Sequence, residues 1–95
     1  MPETRKNTSA GRYEILEGGR VVGHVDYRDL GHGVIELPHT EVDADKEGKG
    51  VASALVKFAL NDIRASGASV KPSCSYVAGY LDRHPELADL RADST

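Results

Sequence analysis

The chain has 95 residues, a formal net charge of −3 and a sequence pI near 5.7, which bounds it to one domain with one core. With an acidic balance, no Trp and one Phe, it lacks the basic face and stacking aromatics of a general nucleic-acid binder. VASALVKFAL, an apolar stretch without charge until Lys57, is far shorter than the ~20 residues of a membrane span.

MPETRKNTSA has basic residues but no apolar segment, so residues 1–10 are read as a flexible tail and not as a signal peptide. RYEILE (12–17) alternates and ends at Gly18-Gly19, a hairpin signal. RVVGHVDYR (20–28) follows as a second strand with Val21, Gly23, Val25 and Tyr27 on one face, and residues 29–33 make the next turn. GVIELPHTEV (33–42) is the third strand of an antiparallel meander. Its Pro38 cannot donate to a ladder and marks an edge, a bulge or a place where two strands separate.

At DKEGKGVASALV (45–56) the period becomes helical, and Val51, Leu55, Phe58, Ala59 and Ile63 form one apolar stripe. Gly67 is placed as the stop. SVKPSC (69–74) is a short strand that must run parallel to 33–42, because a helix separates them. SYVAGYLDR (75–83) forms a second helix, ELADL adds a turn, and residues 92–95 are a second tail. The expected fold is α+β: one domain over 11–91, with an antiparallel meander, a parallel β-α-β unit completing a mixed sheet, and a C-terminal helix.

Gly48 and Gly50 stand where a strand gives way to a helix. Glycines there admit positive φ and close approach, and a helix start offers unpaired N–H groups to an anion. Lys46 and Lys49 add charge. The competing reading is a loop whose glycines serve geometry alone. The spacing fits neither a P-loop nor a Rossmann fingerprint, since Ser53 stands where the latter needs its third glycine.

His24, His32, His39 and His84 show no metal-ligand spacing, and the single Cys74 cannot complete a zinc set. One cysteine also excludes an internal disulfide and fits a reducing cytoplasm. His39 and Glu41 share a strand face beside the expected cleft, where either could take a proton from an amine or simply be solvated. Tyr80 and Tyr76 lie one helical turn apart, with core packing as the alternative for both. Cys74, between a strand end and a helix start, is either an activated thiol or a buried inert one.

HTEV (39–42), GKGVASALV (48–56), KPSCSYV (71–77) and YLDRHPEL (80–87), in this order, resemble the small single-domain GNAT-like acetyltransferases over about residues 12–90. The resemblance implies an acetyl-CoA ligand, without a metal, bound by Val42, Glu47, Gly48, Lys49, Gly50, Val51 and Ala52, with its pyrophosphate at the glycine loop. It puts Tyr80 beside the cofactor, Arg83 and His84 near its nucleotide end, and the pantetheine arm between splayed strands carrying Pro38 and Pro72. It offers Cys74, Tyr80, Glu41 and His39 as catalytic residues, with Tyr80 returning a proton to the departing thiolate. The implied reaction is direct acetyl transfer to a primary amine, on a small molecule or on a protein lysine or N-terminus. Asp45 stands where the general motif has Gln or Arg, and an acid so near a pyrophosphate weakens binding unless it points away. The chain also lacks the helical segment that larger members place between their first two strands. Both departures leave a second reading: a non-catalytic module that binds acyl-CoA or a protein partner.

Overall fold

A computed structural model describes residues 2–92. The first departure from expectation is at the N-terminus. Residues Glu3–Asn7 are not a tail but strand β1, paired antiparallel with β2 (Arg12–Glu17) from Glu3↔Leu16 to Asn7↔Arg12. Charged residues suit an exposed edge strand, and the same polarity makes it look like a tail in sequence. What fixes it is Glu14, a fully buried carboxylate on β2. Arg5 Nε and Arg12 Nε each donate to it at 2.6 Å, and Asn7 Nδ2 donates at 3.2 Å.

The long strands expected at 20–28 and 33–42 are each broken in two. β3 (Arg20–Asp26) continues as β4 (Arg28–Gly31), which occupies part of the expected turn; β5 (Val34–Glu36) is separated from β6 (Thr40–Val42). The mixed sheet is thereby divided. One sheet has the order β1-β2-β3-β6 and is antiparallel throughout. The other has the order β4-β5-β7, with β7 (Ser69–Lys71) parallel to β5 as the β-α-β reading requires. Pro38 stands between β5 and β6, and Pro72 directly after β7. With no N–H to donate at either proline, the parallel ladder ends there and β6 crosses to pair with β3. Gly23 permits that crossing, because a Cβ there would lie 3.1 Å from both Ile15 Cγ2 and Val42 Cγ2.

Helix α1 (Val51–Ala65) buries Val51, Leu55, Val56, Ala59, Leu60 and Ile63. The expected stripe holds, widened by Val56 and Leu60, with Phe58 only partly buried at its border. It packs on Tyr13, Ile15 and Val25, with Tyr13 donating to Asp62 Oδ2 at 2.8 Å. Truncating a fully buried leucine such as Leu55 to alanine would cost about 2–5 kcal/mol. The helix stops in a Schellman motif: Gly67 N–H bonds Arg64 C=O at 3.0 Å and Ala68 N–H bonds Ile63 C=O at 3.2 Å. Helix α2 (Ser75–Arg83) has the expected bounds, and a 3₁₀ segment, Pro85–Leu90, seats Leu90 in the core. Ala92 is no frayed residue, since its N–H bonds Val70 C=O at 2.7 Å. The remainder of the expected C-terminal tail, 93–95, lies outside the described residues, as does Met1. No described helix is long and apolar enough to cross a membrane.

Candidate active site

The division of the sheet opens a cleft of about 560 Å³ lined by Thr40, Val42, Glu47, Gly48, Gly50, Ala52, Ser53 and Tyr76. Each wall follows from local chain geometry. Asp26 N–H bonds His39 C=O and Asp43 N–H bonds Val22 C=O, both at 2.9 Å. Residues 39, 41 and 43 therefore turn their backbone toward β3, and Thr40 and Val42 turn theirs to the free edge of β6. That edge faces the cleft.

The opposite wall is the glycine turn. Gly48 and Gly50 hold φ of 80° and 78°, and neither would bring a Cβ within 4 Å of another atom. The turn is thus an open cradle that side chains would strain and fill. Ala54 N–H makes the first intrahelical bond, to Gly50 C=O at 3.0 Å. The N–H groups of Val51, Ala52 and Ser53 are left without intrahelical acceptors, at the positive end of a 15-residue helix with no acid in its first turn. This arrangement fits an anion such as a pyrophosphate. Lys46 is engaged elsewhere: its Nζ lies 2.7 Å from Glu17 Oε1, and that hydrogen bond raises its pKa. It fastens the turn to the end of β2. Asp45, exposed in the 3₁₀ turn Ala44–Lys46, is not among the cleft-lining residues.

Of the expected cofactor-binding residues, Val42, Glu47, Gly48, Gly50 and Ala52 come together at this cleft. Lys49 is exposed beside it, and Val51 is buried in the core. Tyr80 is buried one turn further along α2 and stacks on His84, with ring centroids 4.0 Å apart. Burial first, then the charge of Glu86, raises its pKa. His84 Nδ1 lies 2.8 Å from Tyr80 C=O, and Arg83 is exposed at the helix end. Neither lines the cleft.

Three lining residues went unassigned in the sequence or were left as alternates: Thr40, Ser53 and Tyr76. Thr40 shares the strand face of Val42 by the period of two, and Ser53 lies on the first turn after Gly50. Tyr76 Oη is 3.3 Å from Ser53 Oγ, which holds the phenol at the cleft. Cys74 caps α2, and its S–H donates to Thr40 Oγ1 at 3.4 Å. Burial pushes the thiol pKa up, but the Thr40 hydroxyl and the N–H groups of Val77, Tyr76 and Thr40 outweigh it and hold the thiol below its ordinary range. His39 and Glu41 take the other side. Glu41 alternates with the cleft-lining Thr40 and Val42, so it points to the opposite sheet face. His39 Nε2 is 3.7 Å from Glu41 Oε1 there.

Residues 12–90 match the family described as GCN5-related N-acetyl-transferase. Protein NATD1 of Homo sapiens is 30% identical over 59 residues, 62% of this chain and 52% of that protein. The Gallus gallus protein aligns over the same share of this chain and 54% of its own. The chain thus spans about half the length of the curated relatives it matches. Among solved structures, a GCN5-like protein from Staphylococcus aureus superposes with a TM-score of 0.75 at 20% identity, covering 98% of this chain and 90% of that one. A GNAT family acetyltransferase from Brucella melitensis, in complex with acetyl-CoA, gives 0.60 at 22% identity over 76% of this chain and 49% of its own. Those structural likenesses show the fold, and the match over residues 12–90 places the chain in the GCN5-related N-acetyltransferase family.

Proposed function

We propose that the protein transfers an acetyl group from acetyl-CoA directly to a primary amine, carried by a small molecule or by a protein lysine or N-terminus. The observation that carries this reading is the shared cleft: the N–H groups of Val51, Ala52 and Ser53, without intrahelical acceptors, lie on one wall and the outer edge of β6 on the other. The first wall suits the pyrophosphate, held by the N–H groups of Val51, Ala52 and Ser53. The second suits the acyl-bearing arm, whose polar groups can bond the outward N–H of Val42 and C=O of Thr40. Acetyl-CoA supplies an activated thioester. The chain orients it, polarises its carbonyl through a backbone N–H of β6, and returns a proton to sulfur from Tyr76 Oη. An amine entering from the far face, where His39 and Glu41 lie, would give its proton to one of them. Cys74 lines the seam and keeps its thiol out of the covalent path. The acetyl-CoA complex of the Brucella melitensis relative supports the same ligand here. A single cysteine, free in the structure, fits a reducing cytoplasm as the working compartment.

The test is release of free thiol from acetyl-CoA with a panel of primary amines, including a polyamine and a lysine-containing peptide. Amine-dependent thiol release is expected. Saturable acetyl-CoA binding with no thiol released by any amine would instead favour the non-catalytic module.

A further inference from the structure

The sheet face that carries Glu41 holds a second cluster. His24 and Glu41 are direct partners across β3 and β6, and His39 lies two residues before Glu41. The three side chains therefore leave one face of the sheet. Their ligand-type atoms all lie within 4.8 Å of one another. Glu41 Oε1 is 3.8 Å from His24 Nε2 and 3.7 Å from His39 Nε2. Asp26 Oδ1 adds a second carboxylate 3.7 Å from His24 Nε2.

Those separations are too long for hydrogen bonds. They are close to what a metal requires, because donors bonded to a tetrahedral zinc ion sit about 3.3 Å apart. Closing the cluster asks for movements of about 1.5 Å at most, judged from that spacing. His39 and Glu41, with side chains 57% and 66% exposed, are free to make them, while His24 at 18% is the fixed member. A smaller cavity of about 290 Å³ that His24 and Glu41 line has room for a water molecule as fourth ligand. Sequence spacing hides this set, since its members sit on two strands.

We propose that His24, His39 and Glu41 bind a divalent transition-metal ion through two imidazole nitrogens and one carboxylate oxygen, with Asp26 beside His24. Imidazole donors select zinc-like ions over magnesium or calcium. An ion held there would occupy the groups on that face able to accept an amine proton, so it would act as an inhibitor of transfer. The site itself does not depend on transfer taking place.

Isothermal titration of the untagged protein with zinc chloride, in a buffer that does not chelate, tests the site directly. One ion per chain is expected, and no heat of binding with magnesium chloride. Glu41→Gln and His24→Gln should each weaken zinc affinity by at least about tenfold, while His32→Gln, on an exposed turn, should not change it. Glu41 is exposed, so its variant should fold as the parent does. The proposal is overturned by an absence of zinc binding, by unchanged affinity in Glu41→Gln, or by binding that disappears with Cys74→Ala.

Discussion

Cys74 Sγ lies 3.4 Å from Thr40 Oγ1, across the seam that opens where β6 leaves the parallel ladder. The hydroxyl can rotate to donate to a thiolate, and the start of α2 adds N–H groups behind it. Iodoacetamide should therefore modify Cys74 with a half-maximal rate at a pH below the ordinary thiol value of about 9.0. A midpoint at or above that value would contradict the assigned environment.

A more readily ionised thiol does not make Cys74 the acetyl carrier. A thioester-to-thioester step gains little energy, so direct transfer predicts that Cys74→Ala keeps most of its turnover. Intact-protein mass spectrometry after incubation with acetyl-CoA alone should find no accumulated acetyl adduct. An adduct that hydroxylamine removes, and that Cys74→Ala lacks, would establish the covalent route.

The choice of Tyr76 as the proposed proton donor follows from the position of two tyrosines. Tyr76 lines the cleft, whereas Tyr80 is buried against His84. Tyr76→Phe should lower kcat on the order of 10²-fold with acetyl-CoA affinity nearly unchanged. Tyr80→Phe should leave kcat close to that of the parent. The reverse pattern would move the donor to Tyr80, as the family resemblance alone implied.

Much of this was legible in the chain because it rests on short-range pattern. The stripe from Val51 to Ile63, the stop at Gly67 and the bounds of α2 follow from helical period and termination. The turn at Gly48–Ala52 follows from glycine conformation and helix-end chemistry. Illegible features are those that long-range pairing decides. β1 exists because a buried Glu14 needs Arg5, and nothing local in ETRKN announces a strand. Pro38 gave notice of a break but not of which sheet β6 would join. The split of Thr40 and Val42 from His39 and Glu41 onto opposite faces depends on that choice. So does the meeting of His24 with His39 and Glu41.

Glu14 also sets an acid limit. Burial would push its carboxyl up, but hydrogen bonds from Arg12, Arg5 and Asn7 outweigh this and hold its pKa below the ordinary value. A depressed folded pKa favours the fold above the unfolded value of about 4.3, and that advantage is lost as pH falls through the folded value. Because Arg5 is 54% exposed and Arg12 32%, solvent screening limits the contribution, and Glu14→Gln should cost about 1–3 kcal/mol at pH 7. Urea unfolding should find that deficit shrinking below about pH 4.3. A deficit that does not change with pH would contradict the ion-pair origin.

The central claim is that the cleft between the glycine turn and the free edge of β6 receives acetyl-CoA, and titration of ¹⁵N-labelled protein tests it residue by residue. Amide shifts are expected at residues 47–53, at Thr40 and Val42, and at Tyr76, with saturation at one ligand per chain. Gly50→Val carries a β-branched side chain at positive φ, costing about 1–2 kcal/mol. It should remain folded yet lose these shifts, because the new side chain fills the cradle. Shifts confined to other surfaces, or the same saturation in Gly50→Val as in the parent, would contradict the assignment of this cleft.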